Sequence, residues 1–188
     1  MAGRNHTRFV AASVIVAAFV FACIGLGRAF AQNTPAALKV ASSSFTAGKS
    51  LPIEFTCEGG DYSPALSWSG VPAGAKTISL ICEDPDAPGG TWTHWVLFNL
   101  PAATTSLAEK TPTSATLPGG ARQGTNDFHR IGYSGPCPPP GKTHHYIFKV
   151  YALDFELDLK SGANRQELLH AISGHVIAQG QIIGTYER

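Results

Sequence analysis

From residue 38 onward, apolar positions come in short bursts of strand length, with few helical stripes. Leu51-Pro52-Ile53-Glu54-Phe55-Thr56 alternates apolar and polar, and Pro52 near its start predicts an edge strand. Lys76 to Glu83 and Thr93 to Leu100 are apolar on both faces and predict deeply buried strands. His145 to Leu153 is rich in β-branched and aromatic residues, and Gln181 to Tyr186 predicts a last strand. Turns are marked by Gly70-Val71-Pro72-Ala73-Gly74 and Leu117-Pro118-Gly119-Gly120. Thr104 to Asp127 predicts a long, weakly hydrophobic connection. One helix stands out. Asn164 is its N-cap, Glu167 completes a capping box, Leu168, Leu169 and Ile172 make its apolar stripe, and Gly174 stops it. Many strands with few helices predict a mainly β fold, a β-sandwich with a peripheral helix.

The start of the chain breaks this pattern. Phe9 to Leu26 is apolar apart from Ser13, with Cys23 and Gly25 near its end. Arg4 and Arg8 precede it, and Ala29-Phe30-Ala31 follows. A positive start, an apolar run and a small-x-small site predict a secretory signal over residues 1–31. A retained anchor is the alternative, because the run approaches the roughly 20 residues that span a bilayer. Lipid attachment at Cys23 is a second alternative, against which the bulky Phe21 argues. Residues 32–37 read as a short disordered linker, and residues 38–188 as one domain.

Charge narrows the function classes. The chain carries 14 Lys+Arg and 13 Asp+Glu. Cleavage would remove three arginines (Arg4, Arg8 and Arg28), leaving 11 against 13 and a net charge of −2. No basic run remains, which argues against nucleic acid and against anionic membrane surfaces as partners. Cys57, Cys82 and Cys137 lie beyond the leader without zinc spacing. Cys82 sits in an apolar strand and reads as a buried small hydrophobe. Cys57 and Cys137 lie at loop edges, so export would make them the disulfide pair.

Two segments concentrate the unusual residues. One runs from Cys82 through Asp84-Pro85-Asp86-Ala87-Pro88-Gly89-Gly90 to Trp92-Thr93-His94-Trp95. The other runs Gly132-Tyr133-Ser134-Gly135-Pro136-Cys137-Pro138-Pro139-Pro140-Gly141-Lys142-Thr143-His144-His145-Tyr146. Each sets a Pro/Gly-stiffened loop beside a strand that carries histidine, the usual setting of a binding group. Proline holds Asp84 extended at the end of a buried strand, where a carboxylate needs a partner; Asp86 reads equally as the cap of its own turn. Alternation predicts Trp92, His94 and Val96 on one face and Thr93, Trp95 and Leu97 on the other. It also sets His144 and Tyr146 together, with His145 opposite and exposed. Side by side, the segments would join two imidazoles, a phenol and the Gly135 backbone N–H as donors, with Asp84 orienting a histidine. That set suits a small oxyanion.

The same motifs, in the same order, resemble the phosphatidylethanolamine-binding protein family, in its bacterial Raf kinase inhibitor-like branch. The resemblance rests on Asp84-Pro85-Asp86-Ala87-Pro88, Trp92-x-His94, Gly135-Pro136-x-Pro138-Pro139-x-Gly141 and His144-x-Tyr146. It extends to Phe55-Thr56-Cys57-Glu58-Gly59, Ser63-Pro64-Ala65-Leu66-Ser67-Trp68 and Gly174-His175-Val176, and covers Leu38 to Arg188. It implies a large antiparallel β-sandwich with short helices near the C-terminus. It also implies an anion pocket at Asp84, His94, Gly135, His144 and Tyr146, with Asp86 and Pro88 shaping the rim and Trp92 at the entrance. The chain departs from the family pattern at His129, where a glycine is expected.

The function expected is non-catalytic binding of phosphate or a phospho-head group by a periplasmic or secreted protein, without a cofactor. Two other classes compete. Relatives that inhibit kinases or proteases suggest a protein-interaction module. An enzyme would use Asp84, Asp86, His94 and His144 as metal ligands, or Ser134 as a nucleophile. Against these, no HExxH occurs, and Pro136 breaks the G-x-S-x-G pattern.

Overall fold

The computed structural model describes residues 1–3 and 35–188. The secretory signal and its cleavage site therefore fall outside the described residues, apart from the first three. The domain holds nine strands: β1 (Ala36–Ala37), β2 (Lys39–Ala41), β3 (Leu66–Ser69), β4 (Thr77–Asp84), β5 (Trp92–Pro101), β6 (Ser106–Leu107), β7 (Arg122–Gln123), β8 (His144–Leu153) and β9 (Val176–Tyr186). One α-helix, α1, spans Arg165–Ala171. A six-stranded sheet runs β1-β9-β8-β4-β5-β7, and a three-stranded sheet runs β2-β3-β6. The fold is mainly β, as the pattern predicts.

Both faces of the large sheet are covered, which is why β4 is buried at every position. On the inner face Leu80, Cys82, Trp95, Leu97, Tyr146, Phe148 and Val150 pack with Leu66 and Trp68 of the small sheet. On the outer face Ile81, Val96 and Phe98 pack with Leu168 and Ile172 of the helical segment. Asn164 caps that segment with the predicted capping box: its Oδ1 accepts from Glu167 N at 3.0 Å, and its own N–H donates to Glu167 Oε2 at 2.8 Å. Thr104 to Asp127 carries only β6, β7 and one 3-10 turn at Pro118–Gly120.

Two expectations fail here. The edge strand over Leu51–Thr56 is instead a 3-10 turn at Ile53–Phe55. Phe55 N donates to Pro52 O and Thr56 N to Ile53 O, and the Thr56 hydroxyl caps the same carbonyl at 2.9 Å. Six alternating residues are too few to separate a strand from a turn that buries Phe55 alone. Ala36 and Ala37, read as linker, pair in parallel with Ala178 and Gln179 of β9.

Candidate functional site

β4 ends in Asp84, and the chain turns at once. Asp84 Oδ1 accepts the Asp86 backbone N–H at 2.8 Å, closing an Asx turn that the flanking prolines stiffen. Asp84 Oδ2 stands 2.7 Å from Nδ1 of His144, the first residue of β8. Both residues are almost closed to solvent, at 3% and 2% exposure. The carboxylate therefore has a protein donor on each oxygen and fixes a hydrogen on His144 Nδ1.

His94 reaches the same place through an irregularity. Cys82 pairs with Trp95 and Glu83 with Thr93, so His94 is an additional residue on β5. Such a bulge interrupts alternation and re-aims a side chain. The predicted grouping of His94 with Val96 is thus corrected: Val96 packs on the outer face, whereas His94 meets Tyr146 of the inner face with ring centroids 5.1 Å apart. Trp92 pairs with Asp84 and shares that face. His94 Nδ1 lies 2.7 Å from the Ser134 carbonyl oxygen, so Nδ1 carries the hydrogen and donates. Burial lowers the His94 pKa, opposed by the Ser134 carbonyl and Asp84.

Tyr146 follows His144 on the inner face, as the spacing predicts. Its hydroxyl is buried and has no hydrogen-bond partner among the described residues. Burial, then the Asp84 charge, raises its pKa, which keeps the phenol protonated. A buried hydroxyl left unpaired costs about 1–3 kcal/mol, so such groups call for an explanation.

These groups form the floor of a cavity of about 210 Å³. Its walls are largely apolar: Ala87, Pro88 and Gly89 on one loop, Trp92 and Phe128, and Cys137, Pro138 and Pro139 on another. Phe128 makes T-shaped contacts with both Trp92 and His94, at 5.5 and 5.3 Å between centroids. Among the described residues, no Lys or Arg lines the cavity.

Of the residues singled out from the sequence, Asp84, Pro88, Trp92, His94, His144 and Tyr146 line this cavity. Asp86 and Gly135 do not. Asp86 Oδ2 accepts from both the backbone N–H and Nδ1 of His145, at 2.9 and 2.7 Å. Those bonds lower its pKa and hold it with the exposed His145. The Gly135 N–H is not a pocket donor either, because it donates to Asp61 Oδ1 at 2.6 Å. Gly135 is required for space: a Cβ there would sit 2.2 Å from the Phe55 carbonyl oxygen. The metal and nucleophile alternatives gain no geometry. Among the described residues no three His, Cys, Asp or Glu side chains converge on a metal position. The Ser134 hydroxyl is buried and accepts from Asn126 Nδ2 at 3.0 Å.

The loops are held from behind. Cys57 and Cys137 are disulfide-bonded, with Cα atoms 5.5 Å apart, and Cys57 N donates to Pro136 O at 3.0 Å. Cys82 is free and buried. Asn126, which the sequence reading did not single out, is a buried hub. Its Nδ2 donates to Gly132 O and Ser134 Oγ, and its Oδ1 accepts from Phe128 N and Arg130 N. One amide therefore sets both the Phe128 wall and the loop segment at Ser134 that orients His94. His129, where a glycine was expected, has φ +60°, the left-handed region that glycine adopts freely. The pocket roles of Phe128, Pro138 and Pro139 were also missed. Phe128 gave no signal beyond its place just after the long connection, and the prolines read only as loop stiffeners.

Comparison with known proteins accords with this geometry. The profile of the family described as "Phosphatidylethanolamine-binding protein" matches residues 41–187. The chain belongs to the phosphatidylethanolamine-binding protein family. A UPF0098 protein of Methanothermobacter thermautotrophicus is 51% identical over 138 residues, covering 73% of this chain and 91% of its own. A UPF0098 protein of Aquifex aeolicus is 46% identical over 155 residues, covering 81% and 90%. Among solved structures, the family homolog CT736 of Chlamydia trachomatis superposes with a TM-score of 0.74 at 40% identity, over 81% of this chain and 98% of that one. YbcL of E. coli, described as a new member of the mammalian family, gives 0.76 at 39% identity, over 80% and 98%.

Proposed function

We propose that the protein is an exported, non-catalytic binder of a small oxyanion, such as phosphate or a phospholipid head group, and that the cavity over Asp84, His94, His144 and Tyr146 is its site. The observation that carries this reading is the buried Tyr146 hydroxyl without a partner, beside two imidazoles whose Nδ1 atoms are engaged by Ser134 and Asp84. With both Nδ1 atoms occupied, Nε2 of each ring and the phenol are left to meet a ligand. Asp84 already has a donor on each oxygen, so its role is to orient His144. The apolar walls suit the organic part of a phospho-head group and raise the worth of each polar contact on the floor. The name of the family points to a phospholipid ligand among its members. Export is supported by the Ala29-Phe30-Ala31 site and by the Cys57–Cys137 bond.

Calorimetric titration of phosphate and of phosphoethanolamine tests the reading. The expected result is saturable one-to-one binding with the ligand recovered unchanged. Absence of binding by both, or conversion of the ester, overturns it.

A further inference from the structure

The Cys57–Cys137 bond lies at the surface. Both cysteines are exposed, at the edges of the two loops they join, whereas Cys82 is buried in β4. The two sulfurs sit in unlike surroundings. Arg188 Nη1 donates to Cys137 Sγ at 3.7 Å. That guanidinium is held in place: its Nε lies 3.5 Å from Glu58 Oε1, and the Arg188 carbonyl accepts from Gly141 N at 2.9 Å. Glu58 is fixed in turn by the Tyr186 hydroxyl, which donates to its Oε2. Among the described residues no such donor meets Cys57 Sγ, and the residue that follows Cys57 is the Glu58 carboxylate.

A cation beside a sulfur favours the thiolate, and the sulfur that forms the better thiolate is the better leaving group in disulfide exchange. A neighbouring carboxylate acts the other way. The bond is therefore polarised: Cys137 is the sulfur disposed to leave, and Cys57 the sulfur to be attacked. Sulfur is not all that joins these loops. Cys57 N donates to Pro136 O at 3.0 Å, and Gly135 N to Asp61 Oδ1 at 2.6 Å, so two hydrogen bonds remain across the same gap when the disulfide opens.

We propose that this bond is a site of directed exchange with small-molecule thiols. An incoming thiolate attacks Cys57 Sγ. A new sulfur–sulfur bond forms there, the Cys57–Cys137 bond breaks, and its electron pair leaves on Cys137 as a thiolate beside Arg188. The product is a mixed disulfide at Cys57. A second thiolate attacks the small-molecule sulfur of that mixed disulfide and frees Cys57. Two small thiols are thereby oxidised to one disulfide, the protein bond is reduced by two electrons, and the two thiol protons pass to the cysteines or to water. Cys137 also belongs to the cavity wall, so exchange unties that wall from the Cys57 turn. The proposal does not rest on the identity of any ligand in the cavity.

The experiment exposes the oxidised protein briefly to excess 2-mercaptoethanol under native conditions and quenches it in acid. Peptic digestion and mass spectrometry then locate the mixed disulfide, in the parent and in Arg188→Gln. The expected result is mixed disulfide at Cys57 in about fivefold or greater excess over Cys137, with Cys82 unmodified. Arg188→Gln should open more slowly and bring the two sites toward parity. An Arg188 that merely braced the loop would alter stability without altering which sulfur is attacked. Parity in the parent, mixed disulfide mainly at Cys137, an undiminished excess in Arg188→Gln, or a bond that resists the thiol altogether overturns the proposal.

Discussion

His144 Nδ1 and Asp84 Oδ2 lie 2.7 Å apart, and both side chains are almost fully buried. Removing one partner of a buried, hydrogen-bonded pair strands the other. Asp84→Ala is expected to destabilise the fold by about 3–5 kcal/mol, far more than a surface carboxylate would. Asp86→Ala, at the half-exposed pair with His145, is expected to cost about 1 kcal/mol or less. Urea unfolding of the two variants checks the contrast, and equal losses would contradict the placement of the two aspartates.

Tyr146 predicts an unusual split between stability and binding. Its hydroxyl is buried beside the Asp84 carboxylate and makes no hydrogen bond of good geometry among the described residues, so the ligand-free protein gains little from it. Tyr146→Phe is expected to leave stability unchanged or raise it by about 1 kcal/mol, while weakening phosphate binding roughly tenfold. Thermal unfolding without ligand and titration with phosphate read the two effects separately.

The depressed pKa of His94 fixes the direction of a pH effect. Below the ordinary histidine value of about 6.5 the unfolded chain takes up a proton that the folded ring resists, so stability falls as pH falls through that range. Asp86, also depressed, adds to the loss only at lower pH, where carboxylates of the unfolded chain protonate. Denaturant unfolding near pH 7.5 and near pH 5.5 is expected to show a drop of up to about 1.4 kcal/mol per pH unit from His94, diminished in His94→Gln. A rise in stability over that interval would contradict a buried neutral ring.

The Cys57–Cys137 bond closes a loop of sequence separation 80, and Cys137 lies in the pocket wall. The Cys57→Ser, Cys137→Ser double variant is expected to lose about 2–5 kcal/mol of stability. Phosphate affinity should fall as well, because Pro138 and Pro139 follow Cys137 directly in the wall. Equal affinity in the two proteins would show that the loop holds its position unaided.

Much of the fold was legible because strand content and the capping box are local signals. The long apolar runs at β4 and β5 mark strands buried on both faces, and Asn164 with Glu167 marks one helix start. What misled was also local. Alternation assigns faces only while the ladder is regular, and the bulge at His94 depends on how Cys82 and Glu83 pair across the sheet. The Pro52 region alternates like a strand, yet its carbonyls are claimed by a turn and by the Tyr133 hydroxyl, 78 residues away. The two strand-borne histidines and Asp84 could be singled out because proline-rich loops flank them. Phe128 and Asn126 could not, since their roles arise only where a long connection returns to β5.

Anion binding on the inner face at Asp84, His94, His144 and Tyr146 can be probed residue by residue. The adjacent histidines give the most direct test: His144 is buried beside Asp84, while His145 points outward to Asp86. Phosphate is titrated by calorimetry into the parent protein, His94→Ala, His144→Ala and His145→Ala. The expected result is a loss of about 10- to 100-fold for His94→Ala and His144→Ala, with His145→Ala within about twofold of the parent. Equal losses for His144→Ala and His145→Ala, or unchanged binding in His94→Ala, would contradict it.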